Sequence, residues 1–273
     1  GDLPEMTHRG TFIVNGIERC VINQIVRAPG VYFSGEVDPN TGRVLYTAEV
    51  RPMRGSWLEF FVNRNGLISV RIDRRRKFPV TTFLRALGLS SDDQIWAELG
   101  RQKEVSDFLE VTVEKDICKN TQEALIEIYQ KMRPGEPAIS ENAAEMIAEM
   151  FFNPRRYTLG KVGRFKINKK LNLNISNIKE NWTLNIRDVV ETMKYLIKLQ
   201  NGQGEVDDID HLANRRLRQV GELVAESAFR VGLLRLERSI KEKMSLVSTD
   251  QRATPAQLVN PRPLVAAMNE FFR

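Results

Sequence analysis

Residues 204–222 read GEVDDIDHLANRRLRQVGE and gather Asp207, Asp208 and Asp210 with His211 and the arginines Arg215, Arg216 and Arg218. Three chemistries are open to such a set. A hard-cation loop needs alternating oxygen ligands, a glycine for its turn and a closing Glu at a fixed distance, and only part of the alternation is present. Proton transfer by His211 would need a nucleophile and an oxyanion donor, and neither stands at a recognisable spacing. The third reading is structural: the Asp residues cap a helix and pair with the arginines of its first turn. Local sequence favours this third reading.

A second charged stretch, RIDRRRK at 71–77, sets Arg71, Arg74, Arg75, Arg76 and Lys77 against Asp73. A strand with alternate arginines would present them to a phosphate chain. A solvated edge that resists strand addition is the structural alternative. Arg27 stands just before Ala28-Pro29-Gly30, a rigid turn at the end of a strand. Trp57 follows Gly55-Ser56 at a strand start, where an indole is either a platform for a stacked base or part of the core. Local sequence favours the core.

These residues must be held by elements that the pattern predicts. Asn15-Gly16 between two apolar runs predicts a hairpin, because both residues tolerate positive φ. Val44, Tyr46, Ala48 and Val50 alternate as in a half-buried strand, and WLEFFV and LISVRI, split by the turn NRNG, extend a meander. From Pro79 the period changes to helical, with Pro79 at N1, Gly88 as a C-cap and Ser and Asp N-caps in SSDDQIWAEL. NTQEALIEIYQKM, SENAAEMIAEMFF and NIRDVVETMKYLIKL predict three further helices. Residues 154–181, basic and Asn-rich, are expected to form loops and short strands. Leu217, Val220, Val224, Ala228, Val231 and Leu234 predict one long helix from near Asn214 to about Ser245, with Glu226–Arg230 and Glu237–Lys241 pairs on its wet side. NPRPLVAAMNEFF predicts a last helix.

The chain has 273 residues, 42% hydrophobic and 28% charged, enough for two domains of ordinary size. No apolar run of about 18 residues is present, so no membrane-spanning helix is expected. The two cysteines, Cys20 and Cys118, show no CxxC spacing and there are only two His. A zinc ribbon or disulfide scaffold is therefore not expected, and a reducing compartment is the simpler setting. The formal net charge of +6 leans toward a polyanionic partner. The start lacks an initiator Met and the end falls within an apolar helical pattern, so a piece of a longer polypeptide is expected.

Taken together, RGTFIVNGIERCVINQIVRAPGVYF, YTAEVRPMRGSWLEF, VRIDRRRKFPVTTFLRALG, EIYQKMRPGEP and the 204–238 stretch resemble the β subunit of bacterial-type RNA polymerase, in that family's order and over nearly the whole chain. The resemblance implies an α+β fold in which a mixed β-meander and helical lobe, 28–208, is inserted into a protrusion built from 1–27 and 209–273 around a long helix. It implies a non-catalytic DNA-channel module. The catalytic Mg2+ is expected on the β′ subunit, and no cofactor is expected here. In the family, the counterparts of Arg27, Trp57, Ile209, Asp210 and Arg215 line a cleft that takes the non-template strand. Asp210 is the candidate to accept hydrogen bonds from one unstacked guanine, Trp57 to stack on its neighbour, Ile209 to form an apolar wall, and Arg27 and Arg215 to supply positive charge. The implied partners are DNA and the other polymerase subunits (β′, α and sigma), and the implied setting is the cytoplasm, at the nucleoid, or a plastid stroma. Docking of a transcription regulator on an exposed β-edge is the alternative role.

Overall fold

The computed structural model describes residues 4–246 and 254–272. The chain divides into two compact units, one running from Arg27 to Asn214 and the other combining Gly1–Val26 with Arg215–Arg273. Strands β1 (Phe12–Val14) and β2 (Ile17–Arg19) form the hairpin that Asn15-Gly16 predicts, with both turn residues at positive φ, 51° and 76°. Strand β3 (Gln24–Arg27) leads into the larger unit.

That unit is built on a five-stranded antiparallel meander, β4 (Gly30–Val37), β5 (Val44–Arg51), β6 (Leu58–Val62), β7 (Ile68–Ile72) and β8 (Phe78–Pro79), each strand pairing with the next. One face buries Phe33, Ala48, Val50, Leu58, Phe60, Ile68, Val70 and Ile72, as period-two alternation requires. Against it pack α1 (Val80–Ala86), α2 (Asp92–Leu99), α3 (Lys103–Glu114), α4 (Thr121–Met132), α5 (Ser140–Ile147, continued as a π turn over Ala148–Phe152), α6 (Gly160–Leu171) and α7 (Ile186–Gln200). The helix starts follow the sequence where caps are present. Ser91 and Gln94 form a reciprocal capping box at α2, Asn120 caps α4, and Asn185 with Asp188 boxes α7.

Two of the expected element assignments are overturned. Residues 160–171 are a helix rather than loops and short strands, because Leu159, Gly163, Ile167 and Leu171, each four residues apart, turn one buried stripe toward the core while the lysines stay outside. The long helix does not begin near Asn214. Arg215–Arg218 form strand β9, which pairs with β3, and the helix starts at Val220. It runs as α8 (Val220–Leu223), a π stretch over Val224–Arg230 and α9 (Val231–Leu246), about 40 Å at 1.5 Å per residue.

The helix buries Leu223, Ala228 and Gly232, while Leu217 and Leu234 of the expected stripe are exposed. Gly232 is required by close packing: a Cβ there would stand 2.8 Å from the Leu264 side chain of α11 (Arg262–Phe272), which follows the short α10 (Pro255–Leu258). Glu237 pairs with Lys241 at 2.8 Å as expected, but Glu226 turns back to Arg218 at 2.7 Å.

Cys20 is exposed and Cys118 buried, both as free thiols. Burial, reinforced by the Asp116 charge, pushes the Cys118 thiol up to about 11, which lowers its thiolate population near neutral pH by roughly a hundredfold. One thiol per native chain is therefore expected to react quickly with Ellman's reagent, and the second only on unfolding. Two fast thiols would contradict this packing.

Candidate nucleic-acid interface

Helix α6 organises the acidic segment. At Gly163 a Cβ would lie 3.0 Å from the Pro29 side chain, and at Gly30 a Cβ would lie 3.3 Å from Cβ of Lys166. The turn after Arg27 and the helix therefore touch directly. One turn apart on α6, Lys166 donates to the carbonyl of Ala213 at 2.7 Å and to Asn214 Oδ1 at 3.0 Å, while Lys170 donates to Asp207 at 2.8 Å and to the Glu205 carbonyl at 3.3 Å. Burial lowers the Lys166 pKa, opposed by the Asp207 charge.

The segment is also pinned at both ends to residues 28–33. The Phe33 N–H donates to Asp207 Oδ2 at 2.8 Å and the Asp207 N–H donates back to the Phe33 carbonyl at 2.8 Å. At the other end the Ala28 N–H donates to the Asn214 carbonyl at 2.9 Å. The Tyr32 hydroxyl donates to the Ala28 carbonyl at 2.7 Å, and burial, with the Asp207 charge adding to it, pushes that hydroxyl up to about 12, so it stays a donor.

Between these anchors residues 208–213 arch outward. Asp208 accepts from the Asp210 N–H at 2.9 Å, and His211 Nδ1 accepts from the Ala213 N–H at 3.1 Å. The expected capping role is thus corrected: Asp207 and Asp208 fold the arch, and the residue before the long helix, Gln219, makes no side-chain cap. Its nearby arginines pair instead with Glu222 and Glu226, Arg216 to Glu222 at 2.6 Å. Among the described residues no three His, Cys, Asp or Glu side chains group as a cation would need. On the arch Ile209 is half-buried and Asp210 exposed.

Arg27 pairs with Glu49. Arg51 donates to the same carboxylate at 2.6 and 3.1 Å, and its guanidinium lies 4.1 Å from the centre of the Trp57 ring, which Arg74 also covers at 4.8 Å. Trp57 is half-buried, so the expected core placement is corrected: its indole lies under two guanidiniums, a cation–π arrangement. Its backbone is fixed by Asp73, whose Oδ1 accepts from the Trp57 N–H at 3.0 Å.

The RIDRRRK stretch is a hairpin turn rather than an alternating strand, since β7 ends at Ile72 and Asp73 and Arg74 both take positive φ. Arg71 grips Glu59 with two nitrogens at 2.9 Å each, and Lys77 lies 3.6 Å over the Phe61 ring. Arg75 donates to the Met132 carbonyl, and Arg76 is exposed. Burial first and the Arg71 charge second lower the Lys77 pKa.

The Arg27–Asn214 unit therefore carries Arg27, Trp57, Ile209 and Asp210, with Arg27 tied to the Trp57 platform through Glu49 and Arg51. Arg215 opens β9 and belongs to the other unit. Sequence reasoning missed Lys166, Lys170, Glu49, Arg51 and Asp73. The four-residue spacing of Leu159, Gly163, Ile167 and Leu171 was the signal that would have found α6 and with it the lysines.

A family model described as RNA polymerase Rpb2, domain 2, matches residues 27–218, opening at the first residue of the larger unit. The chain is 49% identical over 272 residues to the DNA-directed RNA polymerase subunit beta of Synechocystis sp., covering 100% of this chain and 24% of that protein. It is 49% identical over 274 residues to that of Synechococcus elongatus, with 100% and 24% covered, and 49% identical over 272 residues to that of a Nostoc species, with 100% and 23% covered. The chain thus spans about a quarter of the length of the curated relatives it matches. With the family model matching well over half of the residues, the chain belongs to the RNA polymerase Rpb2 domain 2 family and corresponds to a stretch of the polymerase β subunit.

Proposed function

We propose that the chain serves as a non-catalytic wall of the DNA channel of RNA polymerase, where it grasps the non-template single strand. The observation that carries this reading is the arch at 208–213. It is anchored at both ends on residues 28–33 and offers the Asp210 side chain to solvent. Arg27 adjoins one anchor and connects through Glu49 and Arg51 to the Trp57 ring. An ionised carboxylate accepts hydrogen bonds from guanine N1–H and N2–H2, whereas the other bases present mismatched edges. Trp57 gives a sequence-tolerant stacking surface, Ile209 an apolar wall, and Arg27 positive charge. Arg71, Arg74, Arg75, Arg76 and Lys77 lie along the β7–β8 hairpin as candidate phosphate contacts. The β′, α and sigma subunits are the expected protein partners, with the catalytic metal on β′.

The test is Asp210→Ala in the β subunit of reconstituted polymerase. Preference for guanine at one non-template position is expected to fall about 5- to 100-fold, with melting temperature and general DNA affinity nearly unchanged. A melting temperature lower by many degrees with base preference intact would assign Asp210 a structural role instead.

A second reading, docking of a transcription regulator, is favoured by the exposure of Ile13, Ile17, Ile22 and Ile25 along β1–β3, at 61, 58, 82 and 57%. Binding to such a partner would depend little on salt, whereas binding to single-stranded DNA weakens steeply as salt rises.

A further inference from the structure

Glu49 and Arg51 lie two residues apart on β5, so both side chains leave the same face of the sheet. The cross-strand neighbours of Glu49 are Tyr32 and Glu59. Glu59 is gripped by Arg71, and among the described residues Glu49 is the carboxylate that both Arg27 and Arg51 hold. The three side chains are 28, 17 and 23% exposed for Arg27, Glu49 and Arg51, so an anion from solvent can reach them. Arg51 presents its fork, Nε and Nη2, to one oxygen of Glu49 at 3.1 and 2.6 Å. A phosphodiester oxygen suits the same fork. Two guanidiniums on one carboxylate leave a net positive charge, which draws in a polyanion even with the ion pairs made.

We propose that Arg51 is a further strand-binding residue and that Glu49 stands in for the phosphate that it and Arg27 receive. This rests on the DNA-contacting reading above. When a nucleotide enters, its phosphodiester replaces the Glu49 carboxylate on the two guanidiniums. Arg51 then moves off the indole, which keeps Arg74 at 4.8 Å, and the part of the ring that Arg51 covered is left for a base. Glu49 thus sets the threshold for occupancy: it keeps both arginines oriented for an anion and competes with that anion for them.

The experiment uses polymerase reconstituted with β subunits carrying Glu49→Gln, Arg51→Gln or both, with Trp57→Ala and Asp210→Ala in parallel. The probe is a single-stranded oligonucleotide of non-template sequence, titrated between about 50 and 200 mM salt. Glu49→Gln is expected to raise affinity about two- to fivefold at the low-salt end, the range set by one partly exposed ion pair. Arg51→Gln is expected to reduce the slope of log affinity against log salt by about 0.7, one phosphate contact on a single strand. In the Arg51→Gln background the gain from Glu49→Gln should shrink. An unchanged slope for Arg51→Gln, or a loss of affinity for Glu49→Gln, overturns the proposal. If Trp57→Ala still weakens binding, or Asp210→Ala still lowers the preference for guanine, only this inference falls. If neither does, the DNA-contacting reading falls with it.

Discussion

Replacing Arg164 by Met is expected to remove about 3–5 kcal/mol from the stability of the Arg27–Asn214 unit, a drop in melting temperature of roughly 6–20 °C for a unit of this size. Arg164 is fully buried, and each arm of its guanidinium has a partner: Nε donates to the Asn181 carbonyl at 2.7 Å, Nη1 to Asp188 at 2.6 Å and Nη2 to the Thr183 carbonyl at 2.8 Å. Asp188, equally buried, also accepts from the Asn185 N–H at 2.9 Å to complete the start of α7. The pair thus ties α6 to α7 and to the 181–183 turn, so its loss also loosens the helix whose lysines suspend the Asp210 arch.

A pH signature separates this from simple loss of packing. Burial pushes the Asp188 carboxyl up, and Arg164 and the Asn185 N–H pull it back. Without the guanidinium its folded pKa rises further above the unfolded value, so the native state holds a proton that the unfolded chain releases. Stability then falls as pH rises from the unfolded pKa toward the raised folded one. Urea unfolding of Arg164→Met should show a smaller deficit at pH 5 than at pH 8. A midpoint close to that of the native chain at both pH values would mean that the buried pair adds nothing. Replacing both partners, as Arg164→Met with Asp188→Leu, should recover much of the loss, because an apolar pair carries no desolvation cost.

How much of this was legible in the sequence depends on where each element draws its stability. Asn15-Gly16, Ser91 with Gln94, and Asn185 with Asp188 act through bonds within a few residues, so their hairpin and helix starts could be read directly. Helix α6 was hidden because four lysines surround a short stripe that includes a glycine, and one buried position is an arginine. Strand β9 was misread because RRLR continues the helical pattern of the residues after it, and only pairing with the distant β3 makes it extended. Tertiary pairing overrides local propensity in such cases.

At the candidate site, the resemblance supplied Arg27, Trp57 and Asp210, but nothing local could supply their support. Glu49 meets Arg27 across 22 residues, Asp73 meets Trp57 across 16, and Lys166 meets Ala213 across 47. Trp57 was misassigned to the core for the same reason, since the two arginines that flank it come from either side of a sheet meander.

Replacing Asp116 by Ala is expected to cost a similar 3–5 kcal/mol or so, with a chemical readout that the Arg164 variant lacks. Asp116 is buried and accepts from the Thr81 and Thr82 hydroxyls at 2.5 and 2.9 Å and from the Cys118 N–H at 3.0 Å. It also faces the fully buried Arg85, at 3.4 Å from Nε, which reaches onward to Asp92 and to the Ser90 carbonyl at 3.0 Å. Removing the carboxylate leaves two hydroxyls and one N–H without their acceptor and weakens the compensation of a buried cation. The same carboxylate holds the backbone at Cys118 and helps keep its thiol up at about 11. Its loss should therefore lower that pKa and open the site together, so that Cys118 of Asp116→Ala reacts with Ellman's reagent under native conditions where the unchanged protein shows one fast thiol. Guanine preference in reconstituted polymerase should survive at temperatures below the lowered melting point, because the Asp210 arch draws its anchors from α6 and residues 28–33 rather than from α1 or the turn at 116–118. Loss of that preference while the unit remains folded would mean that the arch depends on the Asp116 network, and that its suspension from Lys166 and Lys170 is not sufficient to hold Asp210.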